Sequence, residues 1–159
     1  FENQNLIVIP YAVDFRFSKN KLDFLDFLPQ AKAFKDSLNE AASLVTLSYI
    51  GSNKVVQNYN VMGVAKASLE SSVLYLADSL GDRRIRVNAV SAGPIKTLAA
   101  AGISGFNKIL DIYEQKSAIK DNITTDDVAK VVYFLLSDYS SAITGQTIYV
   151  DNGLSLIHI

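Results

Sequence analysis

The feature that most narrows the folds open to this chain is a pair of short apolar, β-branched runs, residues 43–49 (SLVTLSY) and 85–91 (IRVNAVS), flanking a stretch rich in Ala, Leu and Ser. Each suits a strand of a parallel sheet, residues 43–49 a buried one. The intervening stretch predicts one helix from about Tyr59 to Leu80, with Gly81 placed to end it in the left-handed conformation common at helix C-termini. Strand, helix and strand at this spacing make a right-handed crossover between parallel strands.

The rest of the chain extends this pattern. Residues 5–10 (NLIVIP) predict another buried strand, and Leu25, Leu28, Ala31, Ala33, Phe34 and Leu38 recur at helical spacing over residues 23–38. Residues 95–122 read as loop and short helices punctuated by Gly102 and Gly105. Thr124 with Asp127 three positions on is a capping box that opens a helix running through Ser137. Residues 144–150 close the chain as a strand, followed by the turn Asp151, Asn152 and Gly153. The expected fold is α/β, a doubly wound parallel sheet with helices on both faces. Ligands of such sheets bind beyond the carboxyl ends of the strands. Residues 48–51, the start of the long helix and residues 91–97 all fall there.

Composition removes several classes of function. Fifteen basic against sixteen acidic side chains leave no cationic footprint for a polyanion, which argues against nucleic acid. The absence of cysteine excludes disulfides, thiolate chemistry and sulfur-ligated metal, and the single histidine, His158, leaves no His pair for a metal and argues against a Ser-His-Asp triad. No metal site is expected. The apolar runs are too short to cross a bilayer, and residue 1 onward shows no basic segment followed by an apolar one, so the chain reads as cytoplasmic with no membrane partner. It begins with Phe1, as a piece of a longer protein would. The first glycine is Gly51, so the opening fifty residues hold no glycine-rich phosphate loop.

Tyr59 and Lys66 are the first candidates for chemistry. Seven positions apart on a helix, they fall within about 20° of one face, so both side chains can enter one cleft. A phenol near an ammonium can stabilise a developing enolate or alkoxide, and the lysine can also bind ribose hydroxyls. Taken alone, the pair reads as readily as a half-buried tyrosine beside a lysine whose stem lies along apolar surface. Tyr49 adds a second phenol at a strand's carboxyl end, or simply packs on the next helix. In residues 91–97 small residues and Pro94 allow close backbone approach to a ligand, and Thr97 offers a hydroxyl to phosphate.

Together these segments carry a resemblance. The runs TLSYIG (46–51), NYNVMGVAKASLE (58–70) and RVNAVSAGPIKTLAA (86–100) resemble the NADH-type enoyl-acyl-carrier-protein reductases of bacterial type II fatty acid synthesis, a divergent branch of the short-chain dehydrogenase/reductase superfamily. The resemblance runs from about Phe34 to Gly153. The commoner branch places lysine four residues after the tyrosine, where this chain has Gly63, and Lys66 at the seventh position selects the enoyl-reductase branch. The resemblance implies a Rossmann-like fold lacking its N-terminal βαβ unit, divided into a poorly matching remnant (1–33), a catalytic part (34–153) and a tail (154–159).

By the same resemblance, Tyr59 hydrogen-bonds the thioester carbonyl and stabilises the enolate, Lys66 holds the nicotinamide ribose, and Tyr49 supports catalysis near the acyl chain. Gly93, Pro94, Ile95, Thr97 and Ala99 lie along the cofactor, which is NADH with NADPH not excluded. Residues 98–106 form a mobile lid in which Ala99, Ile103 and Phe106 line the acyl tunnel. The partner is an acyl carrier protein carrying an enoyl chain, and the long helix packs on a symmetry mate in a dimer or tetramer, with Ala65, Ala67, Ser68, Ser71 and Ser72 as its small-residue stretch. Departures from the family pattern are Leu74, Ala101 and the Asp151–Gly153 turn, which read as tolerated surface or turn changes, and the tail with His158. Two alternatives stay open at this point: another short-chain reductase acting on a carbonyl or hydroxyl, and a non-catalytic fragment that associates through its long helix.

Overall fold

A computed structural model describes residues 6–9, 35–57, 59–96 and 106–156. Four parallel strands, β1 (Leu6–Ile9), β2 (Ser43–Ser48), β3 (Arg86–Ala92) and β4 (Thr147–Val150), lie side by side in that order. The helices are α1 (Asn60–Ser79), α2 (Phe106–Lys116) and α3 (Thr125–Leu136). Helix α1 forms the crossover from β2 to β3, as the spacing of the two apolar runs requires.

Register shows which residues of β2 and β3 face each layer of helices. Leu44 pairs with Val87 and Thr46 with Ala89, and this set faces α1, where Leu44, Val87 and Ala89 pack with Leu69, Val73 and Ala77. The alternate set, Val45, Leu47 and Val90, packs with Val128 and Leu135 of α3. Each strand therefore buries both faces, and the sheet is doubly wound with helices on either side.

Buried polar groups tie the layers at defined points. On the α3 face the Leu135 carbonyl accepts from Ser43 Oγ, Arg86 Nη1 and Ser140 Oγ at 2.8, 2.8 and 2.9 Å, and Arg86 Nη2 donates to the Ser137 carbonyl at 3.0 Å. These donors satisfy carbonyls that the end of α3 leaves open, and the arginine adds a cation at the negative end of the helix. At the other end of α3 the expected capping box is complete: Thr124 N–H donates to Asp127 Oδ2 (2.9 Å), and Asp127 N–H donates to Thr124 Oγ1 (3.3 Å). Buried Asn88 donates to the Ile143 carbonyl and accepts from Gln146 N–H, fixing the entry to β4.

Several expectations shift. Gly81 does not end the long helix in a left-handed conformation. It opens a 3-10 turn over Gly81–Arg83, and the left-handed residue is Arg84, with φ 57°. Within residues 95–122 the described residues hold one helix, of 11 residues, and residues 97–105 lie outside them. The last strand begins at Thr147, because Gly145 takes φ 70° and Gln146 turns its N–H to the Asn88 side chain. Of the helix expected over residues 23–38, only the end is described, as a 3-10 turn at Lys35–Ser37. Among the described residues no helix is long and apolar enough to cross a membrane.

Candidate active site

The carboxyl ends of β2 and β3 and the start of α1 bring the candidate side chains together. After β2 the chain turns through Tyr49 and a 3-10 turn at Ile50–Ser52, then returns to Tyr59, the residue that precedes α1. Tyr59 therefore stands outside the helix, and Asn60 behind it has φ 28°, so the expected seven-residue helical spacing to Lys66 does not set its direction. Packing sets it instead. The rings of Tyr49 and Tyr59 meet edge to face, with centroids 4.9 Å apart at 62°. Gly51 leaves room for the Tyr59 ring, since a Cβ there would stand 2.6 Å from Cε1. Tyr59 also lines an open cleft of about 440 Å³, with Gly51, Asn53, Gly63 and Val64.

Lys66 lies on the face of α1 that packs on the sheet and is 6% exposed. Its Nζ donates to the Leu47 carbonyl at 2.8 Å, near the carboxyl end of β2. One turn further along α1, Glu70 accepts a hydrogen bond from the Ser48 hydroxyl, so the last two residues of β2 hold both charged side chains. Burial draws the Lys66 pKa down to about 8, with the Glu70 charge opposing the fall. Tyr59 moves the other way, to about 12, through burial and then the neighbouring Tyr49, and burial also raises Tyr49. Both phenols are thus protonated donors at neutral pH. Ser91 Oγ and Thr46 Oγ1, on the same face of the sheet, are buried with no hydrogen-bond partner among the described residues.

After β3 the backbone runs through Gly93, Pro94 and Ile95, with Gly93 N–H donating to the Val150 carbonyl at 2.9 Å. Gly93 and Pro94 are buried and Ile95 is half-buried. Thr97, Ala99 and Ile103 lie outside the described residues, and Phe106 is described only as the first residue of α2. One site residue escaped the sequence reading. Tyr113 of α2, 2% exposed, rests its hydroxyl against Gly93, and no local pattern joins a residue on an amphipathic helix to a glycine twenty positions earlier.

A four-stranded parallel sheet with helices on both faces, and with Tyr49, Tyr59 and Lys66 near the carboxyl end of β2, defines a Rossmann-like α/β scaffold. Comparison with known proteins agrees with that class. A family model described as enoyl-(acyl carrier protein) reductase matches residues 25–155, beginning ahead of Phe34. The enoyl-acyl-carrier-protein reductase (NADH) FabI of Buchnera aphidicola from Acyrthosiphon pisum is 50% identical over 137 residues, covering 86% of this chain and 53% of the relative. The corresponding NADPH enzyme of Staphylococcus aureus is 52% identical over 123 residues, covering 77% of this chain and 48% of the relative. A crystal structure of the Anaplasma phagocytophilum reductase in complex with NAD aligns with a TM-score of 0.82 at 37% identity, covering 97% of this chain and 62% of that one. The chain belongs to the enoyl-acyl-carrier-protein reductase family. It spans about half the length of the curated relatives it matches.

Proposed function

We propose that residues 34–153 form the catalytic part of a bacterial enoyl-acyl-carrier-protein reductase, which reduces the trans-2 double bond of an enoyl chain carried by acyl carrier protein in fatty acid synthesis. The observation that carries this reading is the edge-to-face pair Tyr49 and Tyr59 beside a buried lysine at the strand ends. The residues present suit a reduced nicotinamide dinucleotide, NADH as the motif resemblance implies, with NADPH named for the Staphylococcus aureus relative. Lys66 offers a buried ammonium to ribose hydroxyls. The Gly93–Ile95 backbone offers close approach, with Thr97 and Ala99 assigned to the same ligand, and Ser91 supplies an orphaned hydroxyl nearby.

When bound, the reduced nicotinamide supplies hydride to the β-carbon of the enoyl chain. Tyr59, held protonated by its raised pKa, donates to the thioester carbonyl oxygen and stabilises the negative charge that develops there. Tyr49 keeps the Tyr59 ring from swinging away and borders the acyl chain, to which the resemblance also assigns Ala99, Ile103 and Phe106. Gly63 stands where the commoner branch has its lysine, and a Cβ there would lie 2.7 Å from the Gly51 carbonyl oxygen, which supports Lys66 as the cation over a reductase of the commoner kind acting on a carbonyl or hydroxyl. The outer face of α1 presents Val64, Ala67, Ser71 and Tyr75 to solvent, while Ala65 and Ser72 pack on the sheet. That outer face is assigned to a second copy in a dimer or tetramer.

The test is crotonyl-thioester reduction, followed by nicotinamide absorbance, in the complete native gene product. Tyr59→Phe is expected to lower kcat by about a hundredfold or more, the scale of losing one preorganised donor, and Lys66→Ala to weaken NADH binding. NADH affinity unchanged in Lys66→Ala removes the role given to that lysine. A folded protein that binds no NADH favours a non-catalytic one associating through α1.

A further inference from the structure

The proposed reaction leaves the buried phenol of Tyr113 without a task. Tyr113 is 2% exposed, and its hydroxyl has no hydrogen-bond partner among the described residues. The phenol is lodged against the Cα of Gly93: a Cβ on that glycine would overlap the hydroxyl and approach ring Cε2 to 3.0 Å. Burial first, then Asp151 and Tyr49, raise the phenol's pKa above its usual value, so it remains a donor at any physiological pH. Unpaired acceptors lie in the same loop. The carbonyl oxygens of Gly93, Pro94 and Ile95 accept no hydrogen bond among the described residues. Among the described residues, a donor without a partner thus touches a loop whose carbonyls have none, a costly arrangement for buried groups. Phenylalanine would fill the same space without that cost.

Resting on the reading of this loop as a dinucleotide contact, we propose that Tyr113 is a positioning residue. Its hydroxyl, without a partner among the described residues, takes a backbone oxygen of residues 93–95 as acceptor when bound dinucleotide draws the loop toward the strand ends. The hydrogen bond then forms only in the bound arrangement, so its free energy adds to ligand affinity rather than to ligand-free stability. Tyr113 acts through the loop and touches neither substrate nor reacting atoms.

Tyr113→Phe in the complete native gene product separates this role from packing, because the substitution keeps the ring and removes only the hydroxyl. Ligand-free urea stability is expected to be unchanged or higher. NADH affinity, read by nicotinamide fluorescence, is expected to fall about fivefold to tenfold, with KM for NADH rising in step and kcat at saturating NADH unchanged. A residue that only fills space moves neither KM nor affinity. Equal NADH affinity in variant and unaltered protein overturns the proposal. So does a less stable or unfolded ligand-free variant, since the hydroxyl would then already have a partner. Absence of NADH binding by the unaltered protein overturns the underlying functional reading and this proposal with it.

Discussion

Replacing Lys66 by methionine separates what the buried ammonium costs the fold from what it does for function. The side chain is 6% exposed and its pKa falls from the usual 10.5 to about 8, chiefly through burial. At about 1.4 kcal/mol per pKa unit, keeping the group charged costs the folded chain on the order of 3 kcal/mol relative to the unfolded one. Methionine fills the same volume along the stem and carries no charge. The substitution also removes the hydrogen bond to the Leu47 carbonyl, which offsets about 1–1.5 kcal/mol of the gain. The expected net effect near neutral pH is a chain about 1–2 kcal/mol more stable. The pH dependence follows from the direction of the shift. Between about 8 and 10.5 the unfolded lysine still holds its proton while the folded one has lost it, so the stability of the unaltered chain rises with pH through that window. Below it both states are protonated and the full penalty stands. Urea unfolding followed by circular dichroism at about pH 6.5 and about pH 9.5 should therefore show an advantage for the variant at the lower pH that shrinks at the higher. A variant less stable than the parent near neutral pH, or an advantage independent of pH, would refute the placement of Lys66 as a desolvated cation.

Three further substitutions test particular contacts, each by urea unfolding. Gly63→Ala sets a methyl 2.7 Å from the Gly51 carbonyl oxygen and should destabilise by about 1–3 kcal/mol. Gly81→Ala meets no atom within 4 Å and has no left-handed backbone to oppose it, so it should stabilise by about 0.4–1 kcal/mol, whereas the sequence expectation of a left-handed helix end gives the opposite sign. Arg86→Met strips its donors from the Leu135 and Ser137 carbonyls and the Ser140 hydroxyl, and a loss of about 2–4 kcal/mol is expected; a loss below about 0.5 kcal/mol would show that the end of α3 does not depend on it.

What the sequence made legible follows from the kind of interaction involved. A strand covered on both faces must be apolar at successive positions, so Leu44 and Val45, which point to opposite helices, announce β2 without any knowledge of its neighbours. The capping box is equally local, because Thr124 and Asp127 satisfy each other within one turn. Features set by distant contacts were not legible. Leu80 was read as the end of a helix closed by glycine. Yet Ala41 N–H donates to the Arg83 carbonyl and Arg84 N–H to the Gly81 carbonyl, and these bonds draw the chain into a 3-10 turn that moves the left-handed residue to Arg84. The three donors that converge on the Leu135 carbonyl come from β2, β3 and the turn after α3, segments that share no local periodicity. At the site, helical spacing aligns Tyr59 with Lys66, but the turn at Asn60 takes Tyr59 out of the helix and leaves its ring to be oriented by Tyr49 and Gly51.

The glycines of the site show why a motif of this kind is written in small residues. Gly51, Gly63 and Gly93 all have ordinary φ, so none is required by a left-handed turn. Each is instead a place where a Cβ would meet something the site uses: the Tyr59 ring at Gly51, the Gly51 carbonyl at Gly63, the Tyr113 phenol at Gly93. The first two contacts are chained, since Gly63 lets α1 close onto the loop after β2 and Gly51 lets Tyr59 lie in the space so formed. A lysine at position 63 would hold α1 away from that loop and dislodge the tyrosine it was meant to assist. Lys66 avoids that clash, because it lies on the face of α1 that packs on the sheet, with Nζ at the Leu47 carbonyl. Close packing at Gly51 and Gly63 thus leaves no space for a side chain at position 63 of this chain, while Lys66 reaches the Leu47 carbonyl from the side of α1 that packs on the sheet.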